Sequence, residues 1–419
     1  LEVRAGVGLF SGGNPNVWLS NSYSNDGITN IGTSIRGGVD LFATPNVNGG
    51  TPGYEVPQSL YDQVANTVIG SGDSSVNAVD PDFEMPSEWK YSVGATYTTE
   101  DEYVFSLDYL FTKRKDAAFL EDIALQDSGN TTFDGRPILE EKETGRYGDL
   151  LLTNVSGDSG ESHVISAAMS KRFDNGISVQ LAYAYTDSTD VNPMTSSVAS
   201  SNYGNLATYD PTNPGAHTSD YEIPHRFTMT LGYTTELFDG YNTRFNLFSE
   251  TYKGLPYSYT FDDSDGVWGD SNSNGGRQLM YIPEVNDPNV VYDMTPEEVT
   301  EFNEWISAQG LARGEISGRN RQNADWFTKV NFKMTQEVPG FMPGHKGEVF
   351  FVIDNLTNML NDDWGVLKKG SFVGNSMVTV DLDDQGRYVY SDFNPNNGKT
   401  ATQSGASVWE MRVGVRYTF

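Results

Sequence analysis

The sequence predicts an all-β transmembrane antiparallel β-barrel with long extracellular loops, and three observations carry that expectation. Apolar side chains recur at every second position in segment after segment. Short and long connections between those segments alternate strictly. The 419 residues contain no apolar run of about 18 that could cross a bilayer as a helix. A barrel strand crosses with only about 9–11 residues and shows lipid every second side chain, so a polar average composition is compatible with it. The 23 Tyr, 22 Phe and 43 Gly suit β structure with interfacial aromatic girdles.

Taken in order, Glu2 to Phe10 reads as a first strand. Trp89, Tyr91, Val93, Ala95 and Tyr97 then alternate with Lys90, Ser92, Gly94, Thr96 and Thr98. Tyr103, Phe105, Leu107, Tyr109 and Phe111 form the next apolar face, with Ser106 and Asp108 between them. Ile177 to Tyr185, Phe227 to Tyr233 and Trp326 to Met334 repeat the pattern. Val349 to Leu356 fits it poorly, because Phe350 and Val352 fall on the nominally polar face. The last segment is the clearest: Trp409, Met411, Val413, Val415, Tyr417 and Phe419 oppose Glu410, Arg412, Gly414, Arg416 and Thr418.

Short connections join Thr98 to Glu102, Phe173 to Ile177 through Asp174-Asn175-Gly176, Glu236 to Thr243, and Val338 to Glu348. Long ones run from about Ser11 to Ser87, Lys113 to Gly160, Thr189 to Tyr221, Tyr259 to Asn323 and Asn358 to Ala406. Short periplasmic turns and long extracellular loops produce this alternation, whereas a compact soluble domain rarely carries so many long loops. The count is about ten membrane strands. Within the loops, Asp149 to Val155 and Met377 to Tyr390 read as strands or hairpins. Thr295 to Gln309 reads as a short acidic helix with a capping box, Thr295 with Glu298, and Pro296 in the first turn.

Composition excludes several functions. With no Cys there is no disulfide framework, Cys-ligated zinc or Cys nucleophile. A formal charge of −30 argues against nucleic acid, which needs clustered Lys and Arg. His163, His217, His225 and His345 lack metal-ligand spacing, and no Gly-x-Ser-x-Gly elbow is present, so no catalytic residue and no enzyme activity are expected. Asp270-Ser271-Asn272-Ser273-Asn274-Gly275 fits the first half of a calcium loop, with Asp270, Asn272 and Asn274 as oxygen ligands, but Tyr281 replaces the twelfth-position Glu. A solvated turn-rich loop is the alternative, and the same holds for Asp381 to Gly386 as a hairpin turn.

Arg226, Arg244, Lys329, Lys333, Arg412 and Arg416 fall on the polar, lumen-facing side. Charge toward lipid would cost about 2–4 kcal/mol near the midplane, so the lumen is the physically preferred side. There they could contact a plug or an anionic solute, or pair with Glu410, Glu250, Asp108 and similar carboxylates across neighbouring strands. Acid in the long loops suits divalent-cation bridging to lipopolysaccharide, recognition of a cationic or neutral ligand, or solubility at the cell surface.

The run from Asn14 to Asn25 (NPNVWLSNSYSN), Lys171-Arg172-Phe173-Asp174-Asn175-Gly176 with Leu181 to Thr186, Leu279 to Pro283, and Asp354-Asn355-Leu356-Thr357-Asn358 together resemble the Oar-like group of TonB-dependent outer-membrane receptors. The ending Val413 to Phe419, with Tyr417 and Phe419 as its aromatic signature, is similar to the terminal strand read by the outer-membrane assembly machinery. The resemblance implies a 22-stranded barrel, an N-terminal plug carrying a TonB box, and active uptake of a scarce nutrient across the outer membrane of a Gram-negative bacterium. Residues 1–419 would then be the C-terminal part of the barrel, a fragment, with plug and N-terminal strands lying elsewhere. An exported protein also needs a signal, and the segment from Leu1 already reads as a strand. The substrate, a small molecule, glycan or peptide, does not follow from the fold. Two other classes stand beside transport: a passive outer-membrane channel or adhesin, and a soluble secreted all-β glycan-binding protein using Trp and Tyr as stacking platforms.

Overall fold

The computed structural model describes the chain except for residues 13–15, 25–44, 52–53, 67–74, 145, 147, 263–265 and 271–275. Ten long strands organise it: β1 (Glu2–Ser11), β2 (Ser87–Thr98), β3 (Val104–Lys115), β4 (Glu161–Arg172), β5 (Ile177–Asp190), β6 (His225–Phe238), β7 (Tyr241–Tyr252), β8 (Phe327–Pro339), β9 (Lys346–Asp354) and β10 (Glu410–Thr418). They pair in chain order as one meander, each pair antiparallel, with β1 and β10 at the edges. Among the described residues the sheet does not close into a barrel. A two-residue strand, His217–Thr218, extends the upper end of β5. Strand number, order and short turns agree with the sequence expectation. At the β4–β5 turn, Gly176 sits at φ +87° and a Cβ there would meet the Thr234 carbonyl oxygen at 2.1 Å, so the Asp-Asn-Gly signal has a steric cause.

Register makes the two faces continuous. One row runs Leu231, Leu247, Phe332, Ile353, Met411 across β6 to β10. On the other face the row Thr234, Arg244, Thr335, Phe350, Gly414 crosses the same strands. The apolar face is bare: Leu107 is 58% exposed and Val413 70%. On β4 that face carries no carboxylate, Lys or Arg between Glu161 and Lys171, which mark its two ends. Ten residues at about 3.4 Å each, on a strand tilted about 40°, make a band about 26 Å tall, close to the hydrocarbon thickness an outer-membrane barrel covers. Aromatics edge the band at both ends. Tyr91, Phe111 and His163 stack near the top, and Tyr183 pairs with His225 through a 2.9 Å hydrogen bond. At the bottom, Tyr103 and Phe173 cover the Lys171 ammonium, and Phe341 stacks on Tyr417.

The irregular strand β9 has a simple explanation. Phe350 does lie on the polar face, and its ring fills the space over Gly414, where a Cβ would come within 2.2 Å of it. Lys333 sits over the same ring, 5.8 Å from its centre.

Buried apolar packing lies almost entirely in the five long loops, L1 (12–86), L2 (116–160), L3 (191–224), L4 (253–326) and L5 (355–409). L4 and L5 build a four-stranded sheet together: Tyr259–Asp262 runs parallel to Asn375–Leu382, which pairs with Tyr388–Ser391, which runs parallel to Val290–Tyr292. The helix Pro296–Ala308 lays Phe302 and Ile306, one turn apart, onto that sheet. Its capping box is formed as the sequence predicts, with the Glu298 amide donating to the Thr295 hydroxyl and the Thr295 amide to the Glu298 carboxylate. Asp381 to Gly386 is the predicted hairpin turn, tied by Asp383, which accepts from the Gln385 and Arg387 amides. A second cluster joins Ala118, Leu120, Leu150 and Leu152 of L2 to Met194, Ala199 and Tyr203 of L3, with Trp18 of L1 packed against it.

Three buried arginines clamp loop to loop. Arg136 of L2 donates to the Gln278 side chain and the Leu279 carbonyl of L4, and lies 4.3 Å from the Trp268 ring. Arg277 of L4 pairs with Asp270 at 2.8 Å and donates to the Tyr203 carbonyl of L3. Arg319 of L4 reaches Asp190 at 3.0 Å, Asp220 at 3.2 Å and the Val191 carbonyl. Asn355, at φ +56° and fully buried, bonds the carbonyls of Gly365 and Ser407 and ties the two ends of L5 together. The Asp-Asn-Leu-Thr-Asn motif is therefore a loop organiser.

Candidate functional site

All six basic residues expected in the lumen lie on the polar face, in four groupings. Near the top, Arg226 stands 3.9 Å from Glu250 and over the Tyr252 ring, and Lys329 lies in register with Glu250. Lys333 is mid-wall on Phe350. Arg412 pairs with Asp354 and, at 3.4 Å, with Glu410. Toward the periplasmic end, Glu348 joins Arg244 at 3.2 Å and Arg416 at 3.6 Å, and Arg244 also pairs with Glu337. Carboxylates on neighbouring strands thus neutralise much of this charge. Exposed pairs of this kind each stabilise by about 0–1 kcal/mol, so their main effect is to make the wall a polar, near-neutral surface.

Of the proposed calcium ligands, Asp270 is 4% exposed and its carboxylate is held by Arg277, while Asn272 and Asn274 lie outside the described residues. At the C-terminus, Tyr417 lies on the apolar face and is anchored to the β8–β9 turn: the Phe341 amide donates to its hydroxyl at 3.0 Å, and His345 Nδ1 lies 2.9 Å from it. Phe419 is 93% exposed.

Sequence reasoning did not find a pair of cavities between the loops. The first, about 380 Å³, is lined by Trp18, Arg114, Thr186, Ser188, Asn192, Tyr221 and Glu222 among others. Its strand residues Arg114, Thr186, Ser188 and Asp190 all belong to the polar face. The second, about 390 Å³, lies between L3, L4 and L5 and is lined by Asn202, Tyr257, Asn320, Lys369, Ser371, Phe372 and Gln403 among others. Asn192, Pro193 and Tyr221 line both, so the cavities adjoin.

The backbone around them is strained. Three of the eight non-glycine residues with positive φ among the described residues line the pair: Met194 (φ +50°), Asn320 (φ +57°) and Val373 (φ +70°). Asn tolerates that region, but a β-branched Val does not adopt it freely. The Val373 segment is held by close packing, since a Cβ on Gly370 would meet Tyr257 at 2.4 Å and one on Gly374 would meet Thr260 at 2.5 Å. Phe372 is left 79% exposed and Tyr221 61%. Burial raises the Glu222 carboxyl above its ordinary value, against the lowering effect of the Ser188 amide, which donates to it at 2.6 Å. Burial and then Arg319 lower His217 nearby. A glycine-flanked aromatic, Gly370-Ser371-Phe372-Val373-Gly374, was the sequence signal available for this site.

A ten-stranded antiparallel wall with a lipid-ready outer face, a polar inner face and a packed loop layer defines a membrane β-barrel protein. The chain belongs to the outer membrane beta barrel domain family, whose model matches residues 1–383. Among curated proteins no relative matches it.

Proposed function

We propose that this chain is the C-terminal barrel portion of a TonB-dependent receptor that imports a scarce nutrient across the outer membrane of a Gram-negative bacterium. The observation that carries the reading is the loop layer. Loops L2 to L5 pack over buried side chains and enclose adjoining cavities, one of them against the lumen face of β3 and β5. A capture site at the extracellular end suits a receptor that concentrates a dilute solute before energised passage. The unpaired edges of β1 and β10 support the larger barrel, because a sheet edge left open in lipid leaves backbone groups without partners. Further strands and a plug with a TonB box would complete it, and the Oar-like motifs add to this reading.

The test uses the protein purified from outer membranes. It should be captured by the immobilised periplasmic domain of TonB, and it should run faster on gels when unheated. Steady conductance in planar bilayers without TonB capture would instead support a passive channel. A soluble, heat-indifferent protein would move a secreted binding module to the front.

A further inference from the structure

We infer that the adjoining cavities form one binding site for a neutral oligosaccharide, gripped between Tyr221 and Phe372; the inference rests on the receptor reading above. Size comes first: together the two spaces, about 380 and 390 Å³, have room for a ligand of a few rings. Chemistry follows from the lining. Ser188, Ser371 and Gln403 offer hydroxyls and an amide, which both donate and accept and so match sugar hydroxyls in either sense, and Asn192 keeps a second N–H and lone pair beyond its bonds to Asn202 and Met194.

The charged groups at the site are largely committed elsewhere. Asp190 and Asp220 are both paired with Arg319. Arg114 donates to the Thr189 carbonyl and has the Glu88 carboxylate 3.9 Å away. The Glu222 carboxylate is engaged by the Ser188 amide, which donates to it at 2.6 Å. An anionic or cationic solute would therefore find little counter-charge, with Lys369 the main exception.

Aromatic placement gives the grip. Tyr221 stands where the two cavities meet, and Phe372 is held outward by a strained residue between two close-packed glycines. A phenyl ring exposed beside a polar-lined cavity can be covered by the C–H face of a sugar ring, which leaves the sugar hydroxyls to the amides. Strain at Val373 points the same way, since such backbone persists where the surroundings over-determine it at a ligand clamp.

The experiment is a binding titration on the detergent-purified holoprotein. The probes are neutral cello-, xylo-, malto- and chito-oligosaccharides of two to six units, oligogalacturonates of the same lengths, and uncharged blocked tetrapeptides. At least one neutral series should bind saturably, tightening with length up to the size of the site. Tyr221→Ala and Phe372→Ala should each weaken it about tenfold, while Tyr221→Phe, which keeps the ring, should stay within about twofold. Unchanged heat-modifiable migration would show that the variants fold. Binding of the acidic sugars or the peptides in place of the neutral series would overturn the inference, as would neutral binding indifferent to both alanine variants. Saturation by none of the probes would overturn it too, while TonB capture of the same sample would keep the receptor reading intact.

Discussion

Val413 of the sheet and Phe302 of the loop layer are both apolar, yet Val413 is 70% exposed and Phe302 is fully buried. The contrast runs through the molecule. In the sheet, hydrogen bonding between strands satisfies the backbone and the apolar side chains are left for lipid. In the loop layer, apolar side chains are covered by protein: Tyr259, Phe261, Met280, Tyr388 and Tyr390 have no exposed surface, and burial pushes the Tyr388 hydroxyl up to about 12. One part is completed by a membrane and the other behaves as a water-soluble domain set on top of it. The difference teaches that the long loops are not slack connections. They are the part of the chain with a conventional core, and they build the cavities.

The largest effect should come from the clamps. Replacing Arg319 by Ala leaves Asp190 facing a buried site and strands the Val191 carbonyl, at a cost of about 3–5 kcal/mol. Hydrogen exchange should show L3 and L4 losing protection while β6 and β7 keep theirs. If the strand amides lose protection equally, the two regions are one cooperative unit and the contrast drawn above fails. Phe302→Ala should cost the loop layer about 3–5 kcal/mol through the cavity it leaves, whereas Leu107→Ala on the lipid face leaves no cavity inside the protein. Limited proteolysis of liposome-embedded protein should cut within L4 and L5 in the first variant and spare the second.

Charge probes the sheet from the other side. Leu107→Arg places a guanidinium toward lipid near mid-strand and should destabilise the membrane-embedded state by about 2–4 kcal/mol. Thr230→Arg, on the lumen face between Gln180 and Phe248, should cost far less. Urea titrations in lipid vesicles would compare them. Equal costs would mean that the faces have been assigned the wrong way round.

The sheet was legible because a period of two is a local signal: most strands from Trp89 to Tyr417 declare their faces in their own ten residues, and Glu161–Arg172 and Tyr241–Tyr252 followed from the short turns that join them to such strands. Even the exception at Phe350 is a local matter, a large ring answering the missing side chain of Gly414 on the next strand. The helix cap at Thr295 and the Asp-Asn-Gly turn were legible for the same reason. The cavities were not. They depend on Trp18, Asn192, Tyr221, Asn320 and Phe372 meeting from four different loops, and no spacing in the sequence encodes that meeting. The arginine clamps were missed likewise: Arg136, Arg277 and Arg319 look like ordinary loop charges until partners from distant segments enclose them.

The smallest effect separates the two regions by pH. Glu222 lines the first cavity, and burial holds its carboxyl above the usual value of 4.5. A raised folded-state value means that the neutral form is favoured on folding. Its stabilising contribution is therefore complete below the unfolded value and is lost as pH rises through the folded one. The group is only partly buried, so the effect should be a fraction of the clamp energies. Protection of the L3 amides should fall gently as pH rises above 4.5, with the strands β6 and β7 indifferent over the same window. Glu222→Gln keeps an oxygen for the Ser188 amide and removes the titration, so it should flatten that slope. A slope that survives the substitution would shift the pH sensitivity to another group, and a slope shared by the strands would mean that the loop layer does not open independently of the wall beneath it.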